Sequence, residues 1–426
     1  MKLNTPRHTY LIVILSFLIV AIMAVLVLPA MGNEQPQVTA GFDGTPSFLP
    51  FIKKDPTPVP TPTSTSVPVP QFVSNIQTPN AECPVASGFN PLSGYAYILN
   101  DYSSNANVFH NRNWVGTIFI PPTIPTDPAG SWPVAIGIDN DSTEVYIAAV
   151  HGGVARVNGL NLVSMLERYY EPHGAVVNPI SGWVYSPDLD RAIQVFNGST
   201  LVQNIVFDMD TEWDAWFLDA VVDPDTGYVY TAGAEGIMYV IDGTDVIDSY
   251  RLGHRVVDIE IDPVRGYIYA AHNEKNDEFQ NNISVFDINN ETVTFLNTAS
   301  RSRGIAVDPR TGLTYVTNPG PDDDPANDTV TLLIGPTVHA NAPVGDRPWG
   351  VAVNPHTGYA VITNRNDNTV TIMRDGAVIT TIPVQGLDPF TVTVDTNNND
   401  FYVGNRGHEY PSPWGTCDRA SVTILH

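Results

Sequence analysis

An Asn or Asp closing a short apolar run recurs eight times in this chain, at Asn90, Asp139, Asn178, Asp223, Asp262, Asp308, Asn354 and Asp395. Successive spacings are 49, 39, 45, 39, 46, 46 and 41 residues. Pro follows directly in six copies, Gly stands four residues on in the same six, and Tyr stands seven on in seven copies (Tyr97, Tyr146, Tyr185, Tyr230, Tyr269, Tyr315 and Tyr402). Copies two and eight lack the Pro and Gly, and copy seven has Val361 in place of the Tyr. A unit of this length cannot bury its own apolar face, so the copies must stack on one another.

One copy can be read strand by strand. In Val351-Ala-Val-Asn-Pro-His-Thr-Gly358 an alternating strand runs into Asn-Pro, where Pro presets φ for a turn and Gly supplies the positive φ that closes it. The return strand runs over 358–363, a third strand over 368–373, Asp375-Gly376 makes a hairpin turn, and a fourth strand covers 377–384. Four antiparallel strands in about 40 to 45 residues describe the blade of a β-propeller. Helical periodicity is nearly absent, and over residues 159–170 a strand fits the register better than a helix. The expected fold is all-β, an eight-bladed β-propeller, with seven blades as the alternative count.

The ends of the chain complement each other. Copy eight supplies strands over 390–394, 400–404 and 421–425 and then stops, while Phe72-Val-Ser-Asn-Ile-Gln77 is a β-prone hexamer ahead of copy one. Pairing of this hexamer with 421–425 closes the ring and hides an open edge. Cys83 precedes the first strand of blade one and Cys417 the third strand of blade eight, on neighbouring blades once the ring closes. A Cys83–Cys417 disulfide suits an exported chain, the alternative being two free thiols.

Ahead of the repeats, Tyr10 to Leu28 is an uncharged run of 19 residues interrupted only by Ser16. At about 1.5 Å per residue it nearly crosses a hydrocarbon core of about 30 Å, and its length favours a transmembrane anchor over a cleaved signal peptide. Lys2 and Arg7 hold residues 1–9 in the cytoplasm and place the rest outside. Residues 29–71 form a linker whose Asp55–Pro70 stretch, DPTPVPTPTSTSVPVP, suits an extended polyproline II spacer or a disordered tether. The propeller then spans 72–426. Four positive residues balance four negative ones over 1–82, so the whole formal charge of −25 belongs to 83–426. Such a surface argues against a nucleic-acid partner.

Tyr315-Val316-Thr317-Asn318, with Asn354-Pro-His-Thr-Gly358, Val361-Ile-Thr-Asn364 and Asn368-Thr-Val-Thr371, resembles the YVTN-type β-propeller repeat. The resemblance covers about residues 72–426 and implies an extracytoplasmic or surface-layer-like propeller. It implies no fixed activity, since members include binding proteins and the broader propeller group includes lactonases and lyases.

Function must then come from a site. Loops leading into first strands and loops between second and third strands share one face, here called the top. They carry five of ten His (His151, His173, His254, His272, His408) and five of seven Trp (Trp132, Trp213, Trp216, Trp349, Trp414). Arg255, Arg301, Arg303, Arg365 and Arg406 join them. Trp and Arg are frequent binding anchors, although Trp also plugs blade junctions. The expected ligand contacts are His173, Trp216, Arg255, Arg303 and Trp349, for a protein, glycan or small ligand.

Four and two residues before each anchor the side chains are mostly small, which makes Asp219, Asp258 and Glu260 exceptions on adjacent blades. These three carboxylates can offer oxygen ligands to Ca²⁺ or another divalent cation, or instead pair with Arg255 and Arg303, or face channel water. No GxSxG, HExxH or P-loop motif is present. Two functions follow: a membrane-tethered binding or envelope structural module, or a metal-dependent lactonase- or lyase-like enzyme built on the channel carboxylates.

Overall fold

The computed structural model describes residues 67–122, 130–166, 171–189, 191–207, 217–273, 282–297, 301–320, 327–407, 417 and 419–426. The expected membrane segment 10–28, nearly all of the linker, and Trp213, Trp216, His408 and Trp414 lie outside them. The described residues form 32 strands in eight four-stranded antiparallel sheets. The innermost strand of every sheet lies against the innermost strand of the next, and that of sheet eight, Pro389–Asp395, lies against that of sheet one, Pro84–Asn90. The molecule is therefore an all-β, eight-bladed propeller. Phe72–Gln77 runs antiparallel to Ser421–Leu425 as the outer strand of blade eight.

The repeated motif has a local and a long-range role. Locally the anchor makes an Asx turn: in blade one, Asn90 Oδ1 accepts the Leu92 and Ser93 amides at 3.0 and 2.9 Å, and its carbonyl accepts the Gly94 amide at 2.9 Å. Gly94 has a φ of +70°, a conformation that glycine adopts without steric cost. Blade seven repeats this with Asn354, His356, Thr357 and Gly358. The Asn anchors also reach sideways. Asn90 Nδ2 donates to the Asp139 carbonyl at 3.0 Å and Asn178 Nδ2 to the Gly227 carbonyl at 2.7 Å, each in the turn of the next blade.

The Tyr seven residues on is buried, and in five blades its hydroxyl reaches the neighbouring blade's outer hairpin. Tyr97 Oη donates to the Gly159 carbonyl and Tyr185 Oη to the Gly243 carbonyl. Tyr269 Oη accepts the Gly335 amide, Tyr315 Oη the Gly376 amide, and Tyr402 Oη the Arg112 amide across the ring closure. Burial pushes the phenols of Tyr97, Tyr315 and Tyr402 up to about 12, which keeps them neutral.

Cys83 and Cys417 are disulfide-bonded, with Cα atoms 5.1 Å apart, and join blade one to the loop entering the third strand of blade eight. Val67 and Val69 pack on the blade seven and eight core, and Tyr359 Oη donates to the Val67 carbonyl at 2.9 Å, so the linker engages the propeller from Val67.

Two measurements test how the ring is held. Replacing Tyr402 by Phe removes a hydrogen bond across the closure and is expected to lower unfolding free energy by about 1 kcal/mol in denaturant titration. The disulfide closes a span of 334 residues, so Cys83→Ser with Cys417→Ser is expected to cost up to about 5 kcal/mol in the loop-entropy model.

Candidate functional site at the channel mouth

The inner strand of most blades carries a β-bulge at its top end. The register shifts between Pro84 and Ala86, Pro133 and Ala135, Phe217 and Asp219, Val256 and Asp258, Pro348 and Val351, and Pro389 and Thr391. A bulge turns a side chain out of the sheet's alternation. The residue five before each anchor occupies this position: Val85, Val134, His173, Leu218, Val257, Arg303, Trp349 and Phe390. In blades three and six the inner strand is shorter, and His173 and Arg303 precede it. A cavity of about 270 Å³ opens here, lined by five of these residues, Val85, Val257, Arg303, Trp349 and Phe390. Asp258, Gly304, Gly350 and Thr391, one residue further along the strands, line it too.

One side of this mouth is cationic and aromatic. The Arg303 guanidinium lies 4.4 Å from the Trp349 ring centroid, and Arg365 lies 4.6 Å from Trp349 and 4.8 Å from Phe390. Arg406 stacks on Phe390 at 4.8 Å, and the Trp349 and Phe390 rings are themselves 5.2 Å apart. Hydroxyls of the preceding blades fix the backbone beneath them: Thr317 Oγ1 donates to the Trp349 carbonyl at 2.7 Å and Thr363 Oγ1 to the Phe390 carbonyl at 3.3 Å. The amides of Arg365 and Arg406, just past the second strands, donate to the Arg347 and Asp388 carbonyls. Arg255, Arg347 and Asp388, each seven before an anchor, hold the left-handed φ that brings these corners over the mouth.

The charges are not evenly compensated. Arg365 forms a buried bidentate pair with Asp388, at 2.6 and 2.9 Å. Burial, then the fields of Arg301, Arg347, Arg365 and Arg255, push the Arg303 guanidinium down to about 10. Its Nε is buried without a hydrogen-bond partner, as is that of Arg406. Burial likewise lowers Arg406, which the Asp101 carboxylate partly offsets. Six of the fifteen arginines in 83–426, Arg255, Arg301, Arg303, Arg347, Arg365 and Arg406, belong to the top corners of blades five to eight of a strongly acidic chain.

The carboxylates do something other than expected. The small residues four before each anchor are required by the next blade's backbone more than by the axis: a Cβ at Gly304 would stand 2.6 Å from the Trp349 carbonyl oxygen, and one at Gly350 2.6 Å from that of Phe390. Asp219 and Asp258 take this position and bridge the gap. Asp219 Oδ2 accepts the Ile259 amide at 3.2 Å and Asp258 Oδ2 the Ile305 amide at 2.8 Å, blade four to five and five to six. Burial raises both, and the Asp219 charge raises Asp258 further. Glu260 is pushed up to about 8 by burial and then by the Asp219 charge. Among the described residues no group of three or more His, Cys, Asp or Glu is arranged to hold a metal. Of the expected cation set, Asp219 and Asp258 thus each latch one blade to the next through an amide, and Glu260 stands beside them with a raised carboxyl.

Of the expected ligand contacts, Arg303 and Trp349 come together at the mouth. Arg255 adds its field to Arg303 from the adjacent blade. His173 holds an equivalent ring position in blade three, its imidazole kept neutral by burial. Trp216 falls outside the described residues. His272 is fully buried, between the His254 carbonyl at 2.7 Å and Ser284 Oγ at 2.8 Å, and burial pushes it down to about 4, so it belongs to the core. Trp132 packs edge-on against His151 with centroids 4.8 Å apart, a junction plug. Phe390 went unsingled in the sequence, although the offset of five residues from the anchors aligns it with Arg303 and Trp349.

No protein-family model matches the chain, and no curated protein sequence is significantly similar to it. Solved structures do match. BamB from Moraxella catarrhalis superposes with a TM-score of 0.56 at 13% identity, covering 84% of this chain and 100% of that one. The WD40 β-propeller domain of Doa1 gives 0.51 at 13% identity, with 84% and 97% covered. At this identity the likeness shows the propeller fold alone.

Glu260 yields a pH test. Its folded value of about 8 lies above the ordinary 4.5, so the stability it contributes is complete below about 4.5 and lost as pH rises through about 8. Glu260→Gln, which stays neutral, is expected to raise Tm relative to the parent at about pH 8.5 and to change it little at about pH 5. Equal shifts at both pH values would remove the assignment.

Proposed function

We propose that this chain is a membrane-tethered extracytoplasmic β-propeller that works as a binding module, with its ligand at the cationic, aromatic half of the channel mouth. The observation that carries the reading is the stack Arg303–Trp349–Arg365–Phe390–Arg406, concentrated at the channel mouth of an otherwise acidic propeller. Stacked guanidiniums and indoles present large, preorganised contact area, and ordering them costs little further entropy on binding. The uncharged run 10–28, the positive residues before it and the Pro/Thr spacer support the tether and its orientation. The resemblance to YVTN-type repeats supports an extracytoplasmic setting. The hydrogen bonds that Asp219 and Asp258 make to amides of the next blade weigh for this reading over the lactonase- or lyase-like alternative built on the same carboxylates.

Two experiments test the two halves of this reading. The full-length chain is expected to stay with membranes through alkaline carbonate washing and to be digested by external protease in right-side-out vesicles; release by carbonate or protection from protease would overturn the tether. In a thermal-shift screen of the full-length chain, compounds that raise Tm are expected to lose at least about tenfold in affinity with Trp349→Ala and none with Ile180→Ser, an exposed turn residue on the opposite face. Ligand shifts untouched by Trp349→Ala would move the site elsewhere.

A further inference from the structure

Resting on that reading of the mouth, we propose that its ligand is a small organic carboxylate, held with its anionic end on Arg303 and its apolar body against the valines that flank it. The cavity of about 270 Å³ is lined by unlike groups. Arg303 and Trp349 stand on blades six and seven, flanked by Val257 on blade five, Val392 on blade eight and Val85 on blade one.

The charge sets the ligand's polar end. A guanidinium crowded by other guanidiniums and desolvated against an indole is stabilised by an anion far more than an exposed one would be. Arg365 already has Asp388 as a bidentate partner. Among the described residues the Arg303 guanidinium has no carboxylate partner of its own, and its Nε is buried without a hydrogen-bond partner. Asp258 lines the same cavity, but one of its oxygens already accepts the Ile305 amide. The terminal N–H groups of a guanidinium match the two oxygens of a carboxylate in a planar fork.

The flanking valines set the rest. An inorganic oxyanion would place hydrated charge against valine side chains with no donor to replace the lost water, which is costly. A carboxylate on an aromatic or branched aliphatic body buries apolar surface there and can lie alongside Trp349 and Phe390. The cavity volume restricts that body to a small molecule.

Benzoate, benzamide, benzylamine, inorganic phosphate and sulfate, each titrated into the full-length chain by calorimetry, test this directly. Benzoate is expected to bind, benzamide and benzylamine at least about tenfold more weakly, and phosphate and sulfate at least about tenfold more weakly as well. Arg303→Met is expected to weaken benzoate by more than about tenfold, and Arg303→Lys, which keeps the charge but loses the fork, by a similar factor with its Tm unchanged. Equal binding of benzamide, preference for phosphate or sulfate, or benzoate binding that survives both Arg303 variants would overturn the carboxylate assignment. If Trp349→Ala still abolished binding in those cases, the mouth would stand as the site with a different ligand class. Absence of binding by every anion would overturn the inference.

Discussion

The reach of a tyrosine from five of the eight blades to the outer hairpin of the next is the interaction on which this ring depends. Its ring fills the interface between two sheets, and its hydroxyl ends on a backbone group in a glycine-bearing or left-handed turn of the next blade. The geometry needs both blades at the right separation. A phenol that found no turn would leave a polar atom buried, so the same residue that supplies apolar area also penalises a displaced neighbour. The Asn anchor repeats this logic nearer the axis, where one side-chain oxygen shapes its own turn and the amide nitrogen of the same group grips the next.

Close approach of the inner strands has a second consequence. With the backbones 2.6 Å from where a Cβ would stand at Gly304 and Gly350, the strands cannot carry ordinary side chains four residues before the anchor. The preceding residue is thrown out by a bulge and becomes the one that faces the mouth. A packing constraint thereby creates a ring of eight equivalent positions whose identity is unconstrained by the core. Four of them are valine or leucine, while three consecutive blades use Arg303, Trp349 and Phe390. That asymmetry gives the mouth a charged side and an apolar side.

The arginine cluster is electrostatically unfavourable in isolation, since its members lower one another's proton affinity. Aromatic faces and one aspartate offset part of that cost. Asp388 neutralises Arg365, and Trp349 and Phe390 take guanidiniums on their faces, while Arg303 keeps its field directed into the cavity. Asp258 lines the same cavity, but burial and the Asp219 charge raise its carboxyl, which weakens the negative charge it offers Arg303.

The sequence by itself determined the repeat, the strand order within a blade and the all-β class, because each follows from turn chemistry and spacing that are local or periodic; it favoured eight blades and the pairing of Cys83 with Cys417, and ring closure in the tertiary structure decided both. It also placed Arg303 and Trp349 on the top face through the same period. Only the tertiary structure decided what those residues meet. That Arg365 belongs to Asp388 while, among the described residues, Arg303 Nε has no partner, that His272 is core, and that Asp219 and Asp258 latch blades are results of contacts between segments 12 to 47 residues apart, or of a register shift within a strand. A spacing of four pointed to the carboxylates and a spacing of five to the mouth, and no propensity distinguishes the two. The bulge that separates them arises where the inner strands are forced together, which happens only once the ring has closed.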